Sequence, residues 1–75
     1  MIKQVKYKVG DVVKYCQKVF FIYKELQNTY GIIIKHKHTL YRPSEYRPSE
    51  EIEIYFWYSF VSMKIYEFSD KVLFP

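Results

Sequence analysis

The chain has 75 residues, of which 49% are apolar and 21% aromatic, and a formal net charge of +4. That length allows one domain, since domains usually run to about 100–150 residues, and the apolar share is too high for a disordered tail. A single Cys excludes an intrachain disulfide and a cysteine-cluster zinc site, no apolar run approaches the about 18 residues of a membrane span, and a chain without Ala but rich in Tyr, Phe, Ile and Val points to sheet rather than helix.

Residues 1–9 alternate loosely, with Ile2, Val5, Tyr7 and Val9 apolar and lysines between them, which reads as an extended arm or first strand. Gly10-Asp11 punctuates, and a short strand follows from Val12 to Tyr15. Residues 16–29 are irregular: Val19, Phe20, Phe21 and Ile22 form an apolar knot, and Gln27-Asn28-Thr29 signals a turn. A long loop laying Phe20 or Phe21 over the core is expected here. Residues 32–38 make the clearest strand, with Ile32, Ile34, His36 and His38 on one face and Ile33, Lys35 and Lys37 on the other.

A polar loop is expected over residues 39–50. It carries a tandem YRPSE repeat at 41–45 and 46–50, and Pro43 and Pro48 cannot donate to a sheet ladder, so both copies stay outside any central strand. Residues 51–58 form the next strand. Ile52, Ile54, Phe56 and Tyr58 face one way, and Glu51, Glu53, Tyr55 and Trp57 the other. The second face begins wet and ends aromatic, so Tyr55 and Trp57 must be covered, by the N-terminal arm or by a partner. A turn at residues 59–62, a strand at 63–66, a polar turn at 67–70 and a last strand at 71–74 complete the chain. Five or six short strands at this spacing predict a small antiparallel barrel, whose closure would remove exposed edges.

The wording "YKVGDVVKY", then a long irregular loop, "YGIIIKH", a variable polar loop, "YFWYSF" and "KIYEFSDKVLF" resembles an SH3-like small barrel of the KOW type. The resemblance runs from Tyr7 to Phe74. It implies a "VGD" turn into the first strand, a glycine before the second, and a short helical turn before the last strand, matched here by residues 66–70. Two features depart from it: the RPSE duplication and the missing glycine in the turn at 59–62. Small Lys/Ile/Tyr-rich proteins of tailed bacteriophages look similar, which would place the chain in host cytoplasm or virion. The charged opening MIKQVKYK, where a signal peptide needs its apolar segment, likewise predicts a protein that is not secreted. Barrels of this kind bind nucleic acid, peptides or neighbouring subunits, so the fold alone does not name the function.

Enzymatic chemistry finds little support in the residues. His36 and His38 share a strand face, but zinc asks for three or four protein ligands and only Cys16 offers itself as a third. Cys16 as a nucleophile needs a base that the spacing does not supply, and Glu50, Glu51 and Glu53 read as a solvated strand edge. No catalytic residue, metal, cofactor or small-molecule substrate is expected.

Two binding readings remain. Up to Leu40 the chain holds eight lysines against Asp11 and Glu25; beyond it, four basic residues face six acidic ones. Lys35, His36, Lys37 and His38, with Tyr41 and Arg42 just beyond, offer cations and rings to a single strand of nucleic acid. The leading expectation is instead a protein-interaction module. A barrel of this size hides about six to eight large side chains, and sixteen aromatics exceed that. Tyr41, Arg42, Tyr46 and Arg47 on the repeat loop, with Tyr55 and Trp57, are the expected contacts to a larger protein assembly.

Overall fold

The computed structural model describes residues 6–18 and 22–75. The strands are β1 (Val12–Tyr15), β2 (Thr29–Tyr41), β3 (Glu50–Ser59), β4 (Ile65–Ser69) and β5 (Leu73–Phe74), with 3-10 turns at Lys24–Leu26 and Asp70–Val72. The fold is all-β. Every pairing is antiparallel, and the strands form one open sheet in the order β4-β3-β2-β1-β5. Among the described residues β4 and β5 do not pair, so the structure is described as a five-stranded sheet rather than a closed barrel.

The alternation expected in β3 is present, and the face that carries Tyr55 and Trp57 is the buried one. Tyr55, Trp57 and Ser59 are fully buried, whereas Ile52, Ile54, Phe56 and Tyr58 are only half-covered. The cause is the largest ring in the chain. Trp57 donates its indole N–H to the Val13 carbonyl at 3.0 Å and packs against Tyr15, Phe68 and Tyr66, with ring centroids 6.0, 5.6 and 6.2 Å away. Room for it comes from Gly31 on the neighbouring strand: a Cβ there would lie 2.5 Å from the indole Cε2 and 2.3 Å from the Tyr58 carbonyl oxygen. Burying so large a ring favours the folded state by roughly 2–3 kcal/mol. Period two along the strand then carries Tyr55 inside with Trp57.

The rest of the core assembles on that face. Tyr15 stacks on Phe68 at 4.5 Å, and Val13, Ile33 and Leu73 are buried beside them. Leu26, on the first 3-10 turn, is buried as the lid contributed by the long loop. The expectation that Phe20 or Phe21 plays this part falls outside the described residues, as does the arm before Lys6.

Several boundaries differ from the sequence reading. β2 continues through Tyr41, so the exposed loop is shorter than 39–50. The turn after β3 needs no glycine, because the Ser59 hydroxyl accepts the N–H groups of Val61 and Ser62 at 3.2 and 3.1 Å. Met63 takes the left-handed conformation at φ 60°, which delays β4 to Ile65. Glu67 to Ser69 then lie in the strand rather than in a turn, and the helical turn falls at Asp70–Val72, immediately before β5.

Two outcomes follow for stability. Gly31→Ala should lower the unfolding free energy by about 3 kcal/mol, read by urea titration of the fluorescence of the sole Trp. Burial pushes the Tyr15 phenol above its ordinary value, with Tyr23, Cys16 and Glu25 adding to the shift. A folded-state pKa raised this way stabilises the protein below the unfolded value of about 10 and loses that contribution as the pH rises through the folded value. Stability should therefore fall on the alkaline side, and Tyr15→Phe should soften that fall in pH-dependent unfolding curves.

Candidate functional site

β2 and β3 run on past their neighbours. β1 pairs with β2 only over Thr29 to Ile32, and β4 reaches only Ile54 of β3. Residues 38–41 and 50–53 therefore form a two-stranded ribbon with no third strand among the described residues, residues 35–37 lead into it from the sheet, and the repeat loop sits at its tip.

A bulge decides which way the ribbon's charges face. The β2–β3 register shifts between Ile33 and Lys35: Ile33 opposes Trp57, and Lys35 already opposes Phe56. The extra residue, Ile34, flips the parity of everything beyond it. His36 and His38 consequently lie on the inner face opposite Tyr55 and Glu53, while Lys35 and Lys37 lie on the outer face opposite Phe56 and Ile54. The expected stripe of Ile32, Ile34, His36 and His38 is broken at Ile34, and the four potential cations are divided between two faces.

On the inner face the histidines meet carboxylates. His36 Nε2 contacts Glu53 Oε2, and His38 Nε2 lies 3.8 Å from both Glu51 Oε2 and Glu53 Oε1. The His36 ring also packs on Tyr55 at 5.1 Å, closing the wet end of the core. Glu51 and Glu53 share a face as expected, but Glu53 is largely covered rather than solvated. On the outer face, Lys35 Nζ lies 5.4 Å from the centre of the Phe56 ring, within reach of cation–π attraction.

The loop residues Arg42 to Ser49 are exposed throughout. Arg42 Nη2 donates to the Glu45 carbonyl at 2.9 Å, and the Tyr46 and Arg47 N–H groups donate to the Ser44 Oγ and carbonyl at 3.3 and 3.2 Å. The two YRPSE copies are thus inequivalent. Tyr41 ends β2, and Tyr46 stands at the tip, 91% exposed.

Tyr55 and Trp57 are not available to a partner. Both are fully buried within the chain, and the N-terminal arm covers Tyr55: its hydroxyl accepts the N–H groups of Lys6 and Tyr7 at 3.1 and 3.3 Å. Tyr7 meets Tyr55 edge-on at 5.4 Å and donates its own hydroxyl to the Leu73 carbonyl at 2.8 Å. The surplus of rings and aliphatics appears instead on the outer face, where Val12, Tyr30, Ile65 and Phe74 are exposed around the half-buried Ile32, Phe56 and Tyr58. The alternation in residues 51–58 located this stripe, but not its side of the sheet.

Cys16 is half-buried beyond the end of β1, and its N–H donates to the Val72 carbonyl at 2.9 Å. Thr29 pairs with Tyr15, so His36 stands about 20 Å further along β2 by the strand rise, and the sheet does not bring thiol and imidazoles together. Among the described residues no three His, Cys, Asp or Glu side chains are grouped to hold a metal ion, and no helix is long and apolar enough to cross a membrane. Comparison with known protein families, curated proteins and solved structures gave no match.

Tyr55→Phe removes the acceptor shared by two backbone N–H groups. Stability should fall by about 1–2 kcal/mol, and the amides of Lys6 and Tyr7 should exchange with solvent faster while the amides of β3 keep their protection.

Proposed function

We propose that the protein is a non-catalytic interaction module, of the SH3-like small-barrel kind, that docks onto a larger protein assembly in a virion or host complex. One observation carries this reading: the outer face of the sheet carries exposed apolar side chains that no second layer among the described residues covers. Val12, Tyr30, Ile65 and Phe74 remain 51%, 48%, 56% and 38% exposed on β1, β2, β4 and β5, with the half-buried Phe56 and Tyr58 of β3 between them, and contiguous apolar patches mark interaction sites far more often than scattered ones do. Tyr41 at the end of β2 and Arg42, Tyr46 and Arg47 on the loop add exposed residues at the far end of the ribbon, of types that anchor interfaces. The SH3-like assignment is supported by the turn at Gly10, with φ 98° before β1, and by the 3-10 turn directly preceding β5.

A nucleic-acid reading draws support from one feature of the ribbon. The bulge turns Glu51 and Glu53 away from Lys35 and Lys37, leaving both lysines on the outer face with the Lys35 ammonium over the Phe56 ring. Glu67, opposite Phe56 on β4, and Glu50, opposite Tyr41, oppose phosphate there.

The readings separate in two measurements. Val12→Asp with Ile65→Asp should leave stability within about 0.5 kcal/mol and remove the protein that copurifies with the unmodified chain from its native source; Tyr41→Ala with Tyr46→Ala should weaken the same association. Retention of the partner by the Asp variant would overturn the docking reading. Oligonucleotide binding that weakens steeply between low and moderate salt would instead favour the phosphate contact.

A further inference from the structure

The outer face ends in a groove of about 510 Å³ beside β5, lined by Cys16, Gln17, Lys18, Ser69, Lys71, Val72 and Phe74. Lys14, Cys16, Lys18 and Phe74 also line a smaller recess. Lys14 pairs with Phe74 across the β1–β5 ladder, and Cys16, Gln17 and Lys18 follow directly after β1. The floor is held in place from below, because the Cys16 N–H bonds the Val72 carbonyl at 2.9 Å and Ser69 Oγ accepts the Lys71 N–H at 3.4 Å.

The composition of this groove is one-sided. Phe74, Val72 and the Cys16 thiol supply an apolar floor, and Lys14, Lys18 and Lys71 supply three ammonium groups, with no carboxylate among the described residues that line it. The histidines by contrast meet acids, His36 and His38 having Glu51 and Glu53, and the cleft on the other side of the Asp70–Val72 turn, which Lys71 also borders, mixes it and Lys6 with Glu50, Glu51, Glu53 and Asp70. β5 is also the terminal strand of the sheet among the described residues, so the groove runs along that edge.

We propose that this groove receives an extended acidic segment of the partner protein, its apolar side chains on Phe74 and Val72 and its carboxylates on Lys14, Lys18 and Lys71. The proposal rests on the docking reading and specifies the chemistry of the partner. Charge complementarity supports it, and so does continuity: Val12, Lys14 and Phe74 belong to the same uncovered face. A protein segment fits better than a phosphate backbone, because the cations ring a short apolar floor instead of tracking a line of successive phosphates. An extended chain alternates its side chains, so acidic and apolar residues at successive positions would reach rim and floor together.

Cys16 is the sole thiol of the chain and reports on the groove directly. A short synthetic peptide of alternating Glu and Leu, at saturation, should slow alkylation of Cys16 by N-ethylmaleimide by at least about threefold, and the matching Lys/Leu peptide should not. Lys14→Glu combined with Lys71→Glu should weaken the Glu/Leu peptide at least about tenfold, with unchanged Trp57 emission certifying the fold; Lys18→Glu alone should weaken it less. The proposal is overturned if the Glu/Leu peptide leaves the alkylation rate unchanged, if the Lys/Leu peptide protects equally, or if a single-stranded oligonucleotide protects better than the acidic peptide. Should the native partner still copurify with the charge-reversed variant while Val12→Asp with Ile65→Asp loses it, the groove assignment fails and docking through the sheet face stands.

Discussion

The indole of Trp57 closes against the backbone at Gly31 and donates to the Val13 carbonyl, so one side chain ties β1, β2 and β3 together. Only a residue without a Cβ can lie beneath it, since any other would meet both the ring and the Tyr58 carbonyl. Once this ring is inside, the pleat leaves no choice for the rest of β3. Tyr55 and Ser59 are buried with it, and Phe56 and Tyr58 are turned outward.

A second constraint acts further along the same ladder. Without the bulge at Ile34, Lys35 and Lys37 would share the inner face with Ile33, beside the Tyr55 ring. The inserted residue places His36 and His38 there instead, against Glu53 and Glu51, and sends both lysines outward. Imidazoles are better suited than ammonium groups to a half-covered site, because they can be neutral and can pack flat on a ring. The ribbon is therefore polar on both faces but of different character: histidines against glutamates inside, lysines and rings outside.

Together these constraints account for the surface proposed for docking. A single sheet of this size has one face to bury, and the largest rings take it with help from Tyr7, Leu26 and Phe68. The remaining apolar side chains have no second layer to pack against among the described residues. They lie on the outer face, which is where a partner gains most by covering them. The same geometry withdraws Tyr55 and Trp57 from any interface and leaves Tyr41, Arg42, Tyr46 and Arg47 exposed on the ribbon and its loop.

Strand existence was legible in the chain because period-two patterning and Pro/Gly punctuation are local signals: the strands around Val12 to Tyr15, residues 32–38 and residues 51–58 all appear, as does the exposed repeat loop. The turn after β3 was hard to see because a Ser hydroxyl and a left-handed Met63 do the work usually left to glycine. What the amino-acid order determined by itself was a β chain with too many rings for one small core. Which face those rings occupy was settled only in three dimensions. Both faces of residues 51–58 carry apolar side chains, and the choice between them depends on Gly31 and Val13, which reach Trp57 only through strand pairing. The bulge that sorts the ribbon's charges is equally non-local, since an inserted residue is defined only against the strand it fails to match.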